Sequence, residues 1–249
     1  MEAARVSALR GHKITLWEKA AALGGQLPLA AASPHKDEMG TFNDFLTREM
    51  ERLGIRVHLN KEATIEAIRA EKPDIVVVAT GARPAAAEVP GADGKNVVKS
   101  WDVLTGNAKV GKKVAVIGGG LVGCETAEFL AEKGHEVTIV EMLPHIGADI
   151  GPLVGPLLFE RLNKYNVKII TGAKLAGIGE HNITYEKDGK TETLGDFDSI
   201  VIAVGSTPED SLANHLEGSG IGYYVIGDAS SPRRITHAVY EAMKVAHEI

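Results

Sequence analysis

"KKVAVIGGGLVGCETAEFLAEKGHEVTIVE" (residues 112–141) decides the fold. An apolar run ends at Ile117, three glycines follow, an alanine-bearing stretch comes next, and a second apolar run ends on Glu141. This order predicts strand, tight turn, helix and strand. Gly118, Gly120 and Gly123 form G-x-G-x-x-G directly after a strand and at the opening of a helix, the setting in which the pattern carries chemistry. Gly118 permits the tight turn, Gly120 admits a pyrophosphate close to the backbone, and Gly123 lets the helix lie near the strand. Gly119, Leu121 and Val122 complete the turn, and the helix N-terminus offers unpaired N–H groups to an anion. Glu141, 23 residues after Gly118, stands where a carboxylate accepts hydrogen bonds from an adenosine ribose.

The chain also repeats itself. Residues 1–25, "MEAARVSALRGHKITLWEKAAALGG", align with residues 124–148, "CETAEFLAEKGHEVTIVEMLPHIGA", at a constant offset of 123. Glu2 pairs with Glu125, Gly11-His12 with Gly134-His135, and Glu18 with Glu141. Further on, "IVVVATGARP" (75–84) matches "IVIAVGSTP" (200–208) around Gly81 and Gly205. A period this long is not that of a solenoid and predicts two similar α/β domains. In this alignment Met1 falls just after the third fingerprint glycine, so the first strand and glycine loop of the first domain are expected to be missing. An open slot is then expected between the strands ending at Glu18 and Thr80, with backbone groups left unpaired.

The predicted class is α/β, two Rossmann-like dinucleotide-binding domains with β-rich additions. The second, residues 108–210, is read as inserted into the first, which comprises residues 1–107 and a return segment, 211–249. Asp188-Gly189 marks a hairpin in the polar stretch "NITYEKDGKTETL".

With 249 residues, 44% of them hydrophobic, the chain can bury two cores, and its net charge of −6 gives no electrostatic case for nucleic acid or an anionic membrane. No apolar run reaches membrane-spanning length and the start lacks a signal-peptide pattern, so a cytoplasmic location is expected. The single cysteine, Cys124, excludes an internal disulfide or dithiol pair and reads as a buried packing residue. The nine histidines show no ligand spacing, and no metal is expected.

In combination, "EKAAALGGQL", "VVVATGARP", the fingerprint above and "YYVIGDA" resemble the pyridine nucleotide-disulfide oxidoreductase superfamily. More closely, the chain resembles the NADH:flavin oxidoreductases related to 2-enoate reductase, 2,4-dienoyl-CoA reductase and trimethylamine dehydrogenase. The resemblance implies that the first domain binds FAD and the inserted one NADH. Glu18 and Lys19 would then meet the FAD ribose, Gly25 and Gln26 would lie along the FAD, Ala79, Thr80 and Gly81 would pass close to it, and Gly227-Asp228 would meet the ribitol chain. Gly205 is the counterpart of Gly81 in the second domain. Glu125 would sit near the nicotinamide, although an acid there also simply serves the helix dipole. NADH is favoured over NADPH because Glu141 would repel a 2′-phosphate and "MLPHIG" supplies no Arg or Lys to receive one.

No residue of the chain is assigned a catalytic role, since the cofactors carry the hydride chemistry. The expected function is the electron-input module of a flavin-dependent NADH oxidoreductase, the whole enzyme reducing an activated C=C bond such as an enoate or enoyl-CoA. FMN, an iron–sulfur cluster and a barrel domain are expected only in a missing N-terminal portion, or a separate protein accepts the electrons. A second copy of the chain is a further candidate partner. The alternative is a module that holds ADP without redox chemistry.

Overall fold

The computed structural model describes residues 1–249. In chain order the elements are α1 (Glu2–Leu9), β1 (Thr15–Trp17), α2 (Leu27–Ala31), α3 (Asp37–Arg52), β2 (Arg56–His58), α4 (Ile65–Glu71), β3 (Ile75–Val78) and β4 (Ala82–Pro84). There follow β5 (Val97–Lys99), α5 (Ser100–Leu104), β6 (Lys113–Ile117), α6 (Leu121–Glu132), β7 (Glu136–Val140), α7 (Gly155–Lys164), β8 (Lys168–Ile170), β9 (Lys174–Ile178), β10 (Asn182–Lys187) and β11 (Lys190–Gly195). The chain closes with β12 (Ser199–Ile202), β13 (Ser206–Pro208), α8 (Ser211–Leu216), β14 (Gly222–Val225), a 3₁₀ turn at Gly227–Ala229 and α9 (Ile235–Glu248).

These elements form two compact units. Unit 1 comprises residues 1–31, 36–83 and 206–249, and unit 2 comprises 32–35 and 84–205. The crossings therefore lie at 83/84 and 205/206 rather than after residues 107 and 210. The reason is a strand pairing: β5 lies parallel to β12, with Val97 opposite Ile200, so the segment before Gly111 belongs to the inserted unit's sheet.

In unit 2 the sheet order is β5-β12-β6-β7-β8, all parallel. Alternate residues of β6 serve opposite faces, as the two-residue period of a strand requires. Val114 and Val116 join α5, α6 and α7 residues Val103, Ala127, Leu130, Leu158 and Leu162 in one core. Ala115 and Ile117 join Ile183, Tyr185 and Phe197 in the other, beneath the antiparallel β9-β10-β11 sheet. Burial on both faces explains why β6, β7 and β12 read as continuous apolar runs. Asp188 (φ +51°) and Gly189 (φ +72°) turn the β10–β11 hairpin, as two left-handed residues should.

Unit 1 contains two separate parallel pairs, β1-β2 and β14-β3. By the sequence repeat, β1 corresponds to β7 and β3 to β12, and in unit 2 those two strands flank β6. No strand lies between β1 and β3. The exposures follow: Ile75 is 40% exposed and Leu16 and Trp17 are only half-buried, whereas β12 is buried throughout. The return segment joins this unit through β14, and Ile226, Ala242 and Val245 pack with Ala3 and Val77. No helix is long and apolar enough to cross a membrane.

Candidate functional site

The glycine turn of unit 2 sits at the C-terminal end of β6, where the strand order diverges toward β7 on one side and β12 on the other, the place where open α/β sheets receive ligands. Gly118 has φ +104°, and a Cβ there would run into the Ala203 carbonyl oxygen. A Cβ on Gly123 would strike the Gly118 carbonyl oxygen, so close packing of α6 on the turn requires glycine at both positions. Glu141 is 7% exposed and hydrogen-bonded through both oxygens. Its Oε2 accepts the Gly119 N–H at 2.5 Å and its Oε1 the Leu143 N–H at 2.7 Å. A carboxylate has roughly four acceptor positions. Two bonds to its own backbone fix the orientation of Glu141 and leave lone pairs for hydroxyl groups of a bound sugar.

Cys124, next to Gly123, is fully buried and donates through Sγ to the Gly119 carbonyl at 3.3 Å. Burial, and then the negative charges of Asp149, Glu125 and Glu141, push its thiol up to about 12. It is a packing group and not a nucleophile at neutral pH. Glu125 is also buried, inside the first turns of α6, while Val122 is exposed.

Sequence reasoning missed the segment after β7. Gly147 donates its N–H to the Gly119 carbonyl at 2.7 Å, and Ile146 Cγ2 lies 2.6 Å from the position a Cβ on Gly119 would take. Asp149 Oδ1 accepts the Leu121 N–H at 2.9 Å, at the first residue of α6. Nothing in the aperiodic "MLPHIGADIG" signals these contacts.

Within unit 1 the structure brings Gln26, Gly81 and Asp228 together. Gln26 Nε2 donates to Asp228 Oδ2 at 3.1 Å, and a Cβ on Gly81 would stand 3.6 Å from the same Gln26 nitrogen. Asp228 Oδ1 accepts the Arg233 N–H at 3.0 Å. Gly81 (φ +79°) accepts the Glu209 N–H at 2.9 Å, and Thr80 Oγ1 donates to the Glu209 carbonyl at 2.5 Å. Gly227 donates its N–H to Glu241 Oε2 at 2.7 Å, and Glu241 also pairs with the Arg233 guanidinium. Burial of Glu241 opposes its ionisation, but the Gly227 N–H and the Arg233 charge outweigh it and hold the carboxyl below its ordinary value.

Glu18 Oε1 accepts the Ala20 N–H at 2.8 Å, the bond that Glu141 makes to Leu143 in unit 2. Lys19, Ala79 and Thr80 are exposed, and Gly25 (φ +55°) would meet nothing with a Cβ. Gly205 (φ +107°) is exposed at the end of unit 2, its carbonyl accepting the Ala85 N–H at 2.9 Å. No group of three or more His, Cys, Asp or Glu side chains is arranged to hold a metal ion.

The family model for pyridine nucleotide-disulphide oxidoreductases matches residues 1–240. An NADH oxidase of Thermoanaerobacter brockii is 40% identical over all of this chain and 39% of its own length. A bilirubin reductase of Mediterraneibacter gnavus is 39% identical over 99% of this chain and 38% of its own. Among solved structures, a 2-naphthoyl-CoA reductase in complex with 2-naphthoyl-CoA superposes on the whole chain with a TM-score of 0.93 at 33% identity, the match covering 38% of that protein. The chain thus spans about two fifths of the relatives it matches. With the model match covering residues 1–240, the chain belongs to the pyridine nucleotide-disulphide oxidoreductase family, oxidoreductases that bind FAD and NAD(P)H.

Proposed function

We propose that unit 2 binds NADH and unit 1 contributes to an FAD site, making the chain the electron-input module of a flavin-dependent NADH oxidoreductase. The observation that carries this reading is the glycine turn with Glu141 fixed against Gly119 and Leu143. Gly118, Gly119, Gly120, Leu121, Val122 and Gly123 form the turn, and the Cβ-free face at Gly120 beside the α6 N-terminus suits a pyrophosphate. Glu141 meets the adenosine ribose and disfavours a 2′-phosphate, giving NADH preference over NADPH. Glu125, buried early in α6, and Gly205, shortly after the end of β12, complete the proposed set.

In unit 1 the Gln26–Asp228–Gly81 cluster fits a cofactor with sugar hydroxyls and a ring edge: an amide, a carboxylate and a backbone without a side chain converge there. Glu18, Lys19, Gly25, Ala79, Thr80 and Gly227 complete this proposed set. Held by these residues, FAD would supply the capacity to accept a hydride from NADH. The chain's own residues bind, orient and tune.

The acceptor centre would lie outside this chain, in a barrel domain with FMN and an iron–sulfur cluster or in a separate protein. Reduction of an activated C=C bond, of an enoate or enoyl thioester, is the proposed overall reaction, supported by the likeness to a 2-naphthoyl-CoA reductase. A second reading is a module that holds ADP without redox chemistry, because the glycine turn and Glu141 would serve the ADP half of a dinucleotide and ADP alone equally well.

An anaerobic NADH titration with added FAD, with NADPH as comparison, separates the two readings. Bleaching of the flavin by NADH supports the electron-input module. Binding of NADH or ADP without bleaching supports the second reading. No nucleotide binding at all overturns both.

A further inference from the structure

Two features that suit the α6 N-terminus to a phosphate are already taken by the chain itself. The Leu121 N–H, one of the donors a helix leaves unpaired at its start, is bonded to Asp149 Oδ1 at 2.9 Å. The space kept free by the missing side chain of Gly120 is filled by the same carboxylate, whose Oδ1 lies 3.3 Å from where a Cβ would stand. Asp149 is therefore an internal anion in the position of an external one.

It does not stand there alone. The segment carrying it runs over the glycine turn, with Gly147 bonded to the Gly119 carbonyl at 2.7 Å and Ile146 against Gly119. Ile146 and Ile150 anchor the segment on the core of unit 2, and Gly147 (φ +74°) lets it turn beside Phe159, whose Cζ is 2.5 Å from a Cβ built at Gly147. The outward side remains in solvent, with Pro144, His145, Ala148 and Asp149 exposed. The segment's ends are fixed, Leu143 by its N–H to Glu141 Oε1 and its carbonyl to the Gly172 N–H, and Gly151 by its carbonyl to the Val154 and Gly155 N–H groups. Residues 144–150 between them can therefore lift from the turn without disturbing the sheet beneath.

We propose that residues 144–150 are a strap closed over the glycine turn, with Asp149 as a latch that a dinucleotide must displace. The proposal rests on unit 2 being the NADH site. Two like charges cannot share the Leu121 N–H and the Gly120 face, so pyrophosphate entry requires the carboxylate to leave. Part of the intrinsic affinity is then spent on opening the strap, and the bound fraction reflects the population of the open form.

The test is direct binding of NADH, ADP and adenosine to the full chain and to Asp149→Ala, read by calorimetry. The strap predicts that Asp149→Ala tightens NADH and ADP by about two- to fivefold, the size of one charged helix-end interaction removed, and leaves adenosine unchanged because it carries no phosphate. Amide exchange at Gly147 supplies a second readout: protection in the free chain should be lost when NADH binds. Wild-type binding that Asp149→Ala leaves equal or weakens, an equal gain for adenosine, or a Gly147 amide still protected in the complex would each overturn the strap alone. Absence of NADH and ADP binding in both proteins would overturn the reading of the site, and the strap with it.

Discussion

Glu18 and Glu141, 123 residues apart, make the same hydrogen bond: each Oε1 accepts the backbone N–H two residues further on, at Ala20 and at Leu143. The bond folds a carboxylate back at the end of a parallel strand and fixes its orientation. Only Glu141 has the second bond, to Gly119, because only unit 2 has a glycine turn beside the strand. Glu141→Ala should therefore weaken NADH binding at least about tenfold, since hydrogen bonds to a charged group contribute about 1.5–3 kcal/mol each. Discrimination against NADPH should shrink in the same variant. Fluorescence titration with both nucleotides checks this, and unchanged affinity would remove Glu141 from the site.

The two glycines in contact across the turn give a stability prediction with an internal control. In Gly123→Ala the new methyl meets the Gly118 carbonyl, backbone that cannot move aside. Overpacking of this kind costs about 1–3 kcal/mol, and at about 2–4 °C per kcal/mol the thermal transition of unit 2 should fall by several degrees. Gly40→Ala, inside α3 of unit 1 with its Cβ at an ordinary 3.8 Å from Ala31, should instead raise the transition of unit 1 slightly, since alanine is favoured over glycine in a helix by about 1 kcal/mol. A Gly123→Ala protein as stable as the wild type would show that α6 can shift away from the turn.

Cys124 should be silent toward a thiol reagent in the folded chain. Its sulfur is buried, and a thiol held near 12 carries almost no thiolate at pH 8. Titration with a chromogenic disulfide should detect no thiol in the native protein and one in denaturant. Rapid modification of the native protein would mean that α6 opens.

Much of unit 2 was legible because its determinants are local. Gly118 and Gly123 act through their own φ and their own missing Cβ, and Glu141 ends a strand whose pattern is unmistakable. Unit 1 became legible through the repeat, which carried Glu141 onto Glu18. The unit boundary was not, because residues 84–107 are placed by pairing of Val97 with Ile200, a partner about a hundred residues away that no local pattern announces. Asp149 was missed for a related reason: it reaches Leu121 from an irregular segment without period. Glu241 lies on an ordinary amphipathic helix, and its tie to Gly227 exists only once α9 packs over the 3₁₀ turn.

That tie makes unit 1 sensitive to acid in a defined direction. The folded chain holds Glu241 below its ordinary value of 4.5, through the Gly227 N–H and Arg233 acting against burial. In the range between the lowered and the ordinary value the unfolded chain binds the extra proton, so stability rises with pH there. The contribution is complete above 4.5 and is lost as pH falls through the folded-state value. Glu241→Gln keeps the shape but gives up the charge, so it should be less stable than the wild type at pH 7, and the gap should close as the pH drops below 4.5. Urea midpoints across that range measure it. A gap that stays constant with pH would show that the carboxylate's charge is not what fastens α9 to Gly227. A closing gap would place the charge at the base of the Asp228 turn, where Arg233 joins Glu241 to the proposed cofactor cluster.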